Sequence, residues 1–367
     1  MARTTAPDLA SQVREVSEEA LPERIRRQLD EADMAPTGAT MLNLACSDNP
    51  WAGYELGGLV TTPGASGAGK TIVALSCLAE CHMLPRFDKY ELILDDAEQR
   101  LAFDLNYLFG ESVANRIVSP RLGNSSTIQN FKANLMTLKK ENRQCVYVLD
   151  SFDSLASEEE LEKEMRKALA MAKSEEAAKK IAGSYGMEKA KIAGEVLRMI
   201  NDYLKESLSL LIIIQQRRQK HDAGPFGEKF TTSGGEAPFY YSNHQPWFTK
   251  METLKDKGLE IGTHTKAKLK KNSITGKLRE CEFDIYNDYG IDDINSIIDW
   301  MLKEEFWKKK SGTHSIDATD LGLLLPRDRL VEAIEQDRME PDLIKAVGEC
   351  WLIREEEVKL KRKPKYL

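Results

Sequence analysis

The chain has 367 residues, of which 41% are hydrophobic and 30% charged, enough to bury one sizeable core with smaller pieces at its ends. No apolar run approaches the ~18 residues that cross a bilayer, and the opening segment MARTTAPDLASQVREVSEEA lacks the apolar stretch of a secretory signal, so a cytoplasmic protein is expected. A net charge of −7 excludes nucleic-acid attraction by the molecule as a whole, leaving any such contact to local basic patches.

In chain order, residues 8–33 read as a polar amphipathic helix ending near Pro36 and Gly38, an arm (1–40) set apart from the core. From Leu56 short apolar strands alternate with longer helical patterns: LVTTP, TIVALSCLAECHM, YELILDD, CVYVLD and SLLIIIQQ. That alternation predicts the α/β class, with a mostly parallel central sheet flanked by helices over residues 41–290. The Glu/Lys/Ala-rich stretch from Ala156 to Lys180 reads as solvent-facing helix. After a loop at Gly183–Gly186 comes a second helix, MEKAKIAGEVLRMINDYLKES. The segment HDAGPFGEKFTTSGG has four glycines and little periodicity, the mark of a functional or mobile loop. The pattern INSIIDWMLKEEFW and the basic run KLKRKPKYL belong to a small C-terminal subdomain, 291–367. Six cysteines scattered through apolar stretches fit a reducing compartment, and Cys77, Cys81 and His82 read as core rather than as a metal half-site.

Three strand ends carry chemistry. GASGAGKT, Gly64–Thr71, follows an apolar strand and precedes an apolar helix. In it Gly64, Ala65, Ser66, Gly67, Ala68 and Gly69 turn backbone N–H groups toward a phosphate, Lys70 adds a cation, and Thr71 ligates Mg²⁺. CVYVLD ends on Asp150 and Ser151, an acidic strand end that holds the same Mg²⁺ through water. YELILDDAEQ places Asp95, Asp96 and Glu98 past a third strand end, where a carboxylate orients and deprotonates water or caps a helix. Phe103 and Tyr107, one helical turn apart, stack on a base or pack into the core.

The order of these motifs resembles the RecA family of recombinases from about Leu42 to Trp307. GASGAGKT is similar to its Walker A, DDAE at 95–98 to the segment with its catalytic glutamate, and LDS at 149–151 to its Walker B. IIIQQRRQK is similar to the strand ending in its nucleotide-sensing glutamine, TTSGGEAPFYYSN to the close of its second DNA-binding loop, and KLKKNSITGKLRECEFDIYNDYGI to its last core strands. The resemblance implies a RecA-like P-loop ATPase core in which Glu98 is the general base and Gln216 the γ-phosphate sensor. It implies that Arg217, Arg218 and Lys220 face DNA phosphates, and that Phe226 and Phe230 wedge or stack between bases. Lys189 and Lys191 fall where the first DNA-binding loop is expected, after a Glu/Lys-rich segment longer than the family norm. Lys271 matches a lysine that reaches the neighbouring subunit's ATP.

ATP and Mg²⁺ are the implied ligands. The implied partners are single-stranded DNA, homologous duplex, further copies in a helical filament, and a single-strand-binding protein or loader. The implied activity is DNA-dependent ATP hydrolysis driving homologous pairing and strand exchange. Ser273 stands where the family has a second lysine, Glu236 where it has an amide, and a basic tail where it has an acidic one. These departures imply a divergent member, with a phage-infected bacterial cell among its expected settings. Two other readings share the motifs: a RecA-fold ring ATPase, helicase-like or KaiC-like, and a non-catalytic DNA-binding mediator switched by ATP.

Overall fold

Near-continuous apolar runs such as LILD, CVYVL and LLIII suit strands covered on both faces, and in the computed structural model they lie side by side. The central strands are β1 (Leu59–Gly64), β2 (Glu91–Asp96), β3 (Ile117–Val118), β4 (Cys145–Asp150) and β5 (Leu210–Gln219). They continue as β6 (Phe230–Thr232), β7 (His244–Asp256), β8 (Leu259–Asn272), β9 (Glu280–Tyr286) and β10 (Gly290–Asp292). All belong to one ten-stranded sheet, ordered β10-β9-β8-β7-β1-β5-β4-β2-β3, with β6 paired to β5 off that path. From β7 to β3 every neighbour is parallel, and β7 to β10 form an antiparallel meander. The structure describes residues 29–101, 103–171, 187–219, 230–232 and 235–363, and Glu31–Leu367 forms one compact unit.

Alternate residues of each strand supply the two cores. Val60, Leu92, Leu94, Val146, Val148, Ile212 and Ile214 face one layer, which includes α1 (Thr40–Ser47) and α2 (Lys70–Met83). Leu59, Ile93, Tyr147, Leu149, Leu211 and Ile213 face the other, covered by α3 (Ile128–Glu141) and α5 (Met187–Ser207). A reciprocal cap between Thr127 and Asn130 starts α3. Between those two helices, α4 (Glu158–Met171) has no buried residue, as its Glu/Lys-rich sequence predicts. All six cysteines are free and buried, and His82 bonds Ser112 at 2.9 Å.

Two regions refine the sequence reading. Of the helix expected over 8–33, most lies outside the described residues, but its end is no helix: Glu31–Asp33 form a 3₁₀ turn. Met34–Ala35 then pair with Tyr54–Glu55 and are buried at 3% and 0% exposure, so burial overrides helical periodicity there. C-terminal to the sheet, α6 (Asp293–Lys303), a three-stranded sheet, α7 (Arg327–Gln336) and α8 (Glu340–Glu357) pack on the first core layer through Ile297, Met301, Trp307, Leu330 and Val347. Glu355 of α8 accepts two hydrogen bonds from Arg279, at 2.6 and 2.8 Å, and pairs with Lys277 at 2.8 Å, which ties this helix to the loop before β9. Among the described residues no helix is long and apolar enough to cross a membrane.

Candidate functional site

Parallel register brings the motifs to one sheet edge. Gly64 lies opposite Gln216, and Asp96 opposite Asp150, so the carboxyl ends of β1, β2 and β4 come to the same sheet edge as Gln216 of β5. The loop from Gly64 to Gly69 turns back into α2 with Gly67 at φ 68° and Gly69 at φ 77°. A Cβ on Gly69 would sit 2.1 Å from Ile285 Cδ1, so a side chain there collides with the meander. Lys70 opens α2 and is buried. Its Nζ donates to the carbonyl oxygens of Ala65 at 2.6 Å and Gly64 at 3.3 Å. Burial lowers its pKa against the pull of Asp150, Asp153 and Glu98.

The Thr71 hydroxyl donates to Asp150 Oδ2 at 2.6 Å, joining the helix start to the β4 end. Burial raises the Asp150 pKa, and the Thr71 bond opposes that rise. A hydroxyl and a carboxylate side by side, below a glycine-turned loop at a helix N-terminus, fit a nucleotide phosphate with its Mg²⁺.

The three acids after β2 have different surroundings. Asp95 is fully buried and holds Ser125 through two bonds of 2.6 Å and the Tyr147 hydroxyl at 2.5 Å, a structural arrangement. Asp96 closes the following turn by accepting the Arg100 and Leu101 N–H groups. Glu98 faces the phosphate-loop edge instead. Its Oε1 accepts the Ser151 hydroxyl at 2.7 Å, and the Gln216 side-chain amide approaches the same oxygen at 3.5 Å. Glu98, Ser151 and Gln216 thus converge beside Asp150, whose carbonyl accepts the Glu98 N–H.

Residues 14–292 match the family model of the RecA N-terminal domain, well over half of the chain. The chain belongs to the RecA family. It is 28% identical over 290 residues to Protein RecA of Clostridioides difficile strain 630, spanning 79% of this chain and 75% of that protein. It is 27% identical over 296 residues to Protein RecA of Helicobacter hepaticus, spanning 81% and 78%. To Protein RecA of Roseiflexus sp. strain RS-1 it is 28% identical over 292 residues, spanning 79% and 74%.

In this RecA-family chain the strand carrying Gln216 does not stop where the sequence suggests a loop. β5 runs on to Gln219 and folds against β6, with Arg217 opposite Thr232 and Gln219 opposite Phe230. The aromatic Phe230 and the β-branched Thr231 and Thr232 suit the partner strand of such a ribbon. Lys220 and Phe226 lie outside the described residues. The Arg217 guanidinium sits over the Phe230 ring, 4.5 Å from its centroid, and the largely exposed Arg218 pairs with Asp153 at 3.3 Å. Asp153 also accepts the Gln216 backbone N–H at 2.6 Å. Sequence reasoning missed Asp153, whose only signal is its place two residues past Ser151.

Lys189, expected at the DNA, is buried at 7% exposure. Its amine lies 4.7 Å from the Phe152 ring centroid and donates to the Asp153 carbonyl at 3.3 Å, and burial lowers its pKa to about 8. Helical phase puts it against the Phe152–Ser154 turn, while Lys191 is exposed on α5. Lys271 caps the short helix Ala237–Tyr241 by donating to the carbonyls of Phe239 at 2.9 Å and Tyr240 at 2.7 Å. It pairs with Gln245 near the start of β7, whereas Gly64 bridges Phe248. Those levels differ by roughly 10 Å along the strands at ~3.3 Å per residue, so Lys271 lies away from its own phosphate loop. Phe103 packs partly against the core, and Tyr107 is 67% exposed.

Proposed function

We infer that this RecA-family protein is an ATP-dependent recombinase that forms filaments on single-stranded DNA and promotes homologous pairing and strand exchange. The observation that carries this reading is the convergence of Ser151 and Gln216 on the single Glu98 carboxylate, beside the paired Thr71 and Asp150. The N–H groups of the loop Gly64, Ala65, Ser66, Gly67, Ala68 and Gly69 and the Lys70 amine hold the triphosphate. Thr71 and Asp150, with Ser151 beside them, would hold Mg²⁺, which when bound would supply positive charge to stabilise the triphosphate. Glu98 takes a proton from water. The Gln216 amide trades its long contact with Glu98 for one to the γ-phosphate. Because the next residues are the ribbon with Arg217, Arg218 and Phe230, that trade reports nucleotide state to the DNA-facing segment, including Lys220 and Phe226. Lys191 adds a cation on α5.

Lys271, held away from its own loop, serves the neighbouring subunit's nucleotide, so hydrolysis depends on assembly into a filament, with the segment ahead of Glu31 as its contact. Contacts to the DNA backbone leave base edges free to pair with a homologous duplex. The reading places the protein in the cytoplasm, working with a single-strand-binding protein or loader. ATP turnover measured with and without single-stranded DNA, together with negative-stain images in a slowly hydrolysed ATP analogue, tests it. Stimulated turnover and filaments are expected, and a monomer indifferent to DNA overturns the reading.

A further inference from the structure

Helix α4 wears its polarity inside out. Its half-buried positions are Glu160, Lys163, Lys167 and Ala170, while its large apolar side chains point to solvent. Leu161 is 45% exposed, Met165 68% and Leu169 62%. Their spacing of i, i+4 and i+8, with the exposed Ala168 alongside, makes one continuous stripe. A helix that turns its half-buried charged side inward and exposes its stripe leaves its apolar face for a partner.

Charge says which partner. Glu158, Glu159, Glu160, Glu162 and Glu164 crowd the turns before Met165, Lys163 among them being tied to Glu159 at 2.7 Å, and Arg166 and Lys167 follow it. A parallel copy of α4 would set acid on acid. An antiparallel copy centred on Met165 sets Leu161 against Leu169 and Glu164 opposite Arg166, matching shape and sign at once.

We propose that α4 pairs antiparallel with α4 of a second copy, about a two-fold axis at Met165. The contact uses the same surface on both partners and closes on itself, which separates it from the head-to-tail contact through which a filament grows. One helix pair buries little area, so the dimer is weak and concentration-dependent. The inference stands whether or not the chain is a recombinase.

All six native cysteines are buried, so introduced surface cysteines in the full-length protein report the pairing. Under mild oxidation without nucleotide or DNA, Met165→Cys should give severalfold more disulfide-linked dimer than the unsubstituted protein. Leu161→Cys and Leu169→Cys should cross-link well when mixed and poorly alone. In the antiparallel register two copies of position 161 are offset by about 12 Å at ~1.5 Å per residue, beyond disulfide reach. Either variant alone cross-linking as well as the mixture would establish parallel pairing and overturn the proposal, as would Met165→Cys at the unsubstituted level. In the Met165→Cys background, Glu164→Lys should cut the cross-link severalfold and adding Arg166→Glu should restore it. With unchanged far-ultraviolet circular dichroism, failure to restore overturns the register.

Discussion

Glu98 and Gln216 lie 118 positions apart in sequence and meet at one carboxylate oxygen, 3.5 Å from the Gln216 amide. Ser151 donates to that same oxygen at 2.7 Å. The carboxylate is therefore positioned by the Ser151 turn and approached by the strand that leads to the basic ribbon. Glu98→Gln keeps the size and hydrogen bonding but removes the base. Nucleotide affinity should hold while kcat falls ~100- to 10,000-fold, measured by phosphate release and by titration with a fluorescent nucleotide. Turnover unchanged by this substitution would favour the ATP-switched mediator.

Lys70→Ala removes the cation held beneath the loop at the Ala65 and Gly64 carbonyls. A charged hydrogen bond is worth ~1.5–3 kcal/mol, so nucleotide affinity should drop roughly 10- to 150-fold. Nucleotide-dependent binding of a labelled single-stranded oligonucleotide, followed by anisotropy, should disappear with it. Retained ATP-dependent binding would contradict the assignment of the phosphate site.

Arg217→Ala with Arg218→Ala should weaken binding to single-stranded DNA across all sequences and spare nucleotide binding. Each phosphate contact on a single strand contributes a slope of about −0.7 in log affinity against log salt. The double variant should therefore lose ~1.4 from that slope if both side chains meet phosphates. An unchanged slope places the DNA contacts elsewhere.

Much of this arrangement was legible because strong local signals agreed with one another. Uninterrupted apolar runs marked β2, β4 and the first part of β5, and the helix MEKAKIAGEVLRMINDYLKES is α5, Met187–Ser207, to the residue. The glycine-rich turn was likewise visible because its positive φ angles demand glycine at positions 67 and 69. What stayed hidden depends on contacts between distant segments. Nothing near Lys189 announces that Phe152 will cover its amine, and Asp95 looks as available as Glu98 until Ser125 and Tyr147 close over it. The extension of β5 past Gln216 was missed because RRQ pairs with FTT across a glycine-rich stretch that reads as pure loop. Charge beside charge on α4 reads as solvated helix, and only the folded chain shows that its apolar stripe faces outward.

Two buried groups give stability a pH profile with separable windows. His244 is fully buried with neither ring nitrogen partnered, and burial lowers its pKa to about 3. An unfolded histidine titrates near ~6.5. Below that value the unfolded chain binds a proton the folded chain refuses, so stability falls as pH drops from there toward 3. Glu355 works in the acid range: hydrogen bonds from Arg279, joined by Lys277, hold its carboxyl down at about 2. Its contribution is present above the unfolded carboxyl value of ~4.3 and is lost as pH falls toward 2. Between pH 6 and 5 the histidine should cost about 1 kcal/mol while Glu355 stays nearly silent. Urea unfolding at half-unit steps from pH 7 down to 2 checks both windows. His244→Leu should flatten the upper part of the curve, and a slope as steep as the unsubstituted protein's there would exclude His244 as its source. Glu355→Gln should lower stability at pH 7 by about 2 kcal/mol, since a charged hydrogen-bond acceptor for Arg279 is lost. It should also remove the decline below pH 4.3 that the ionised carboxylate produces.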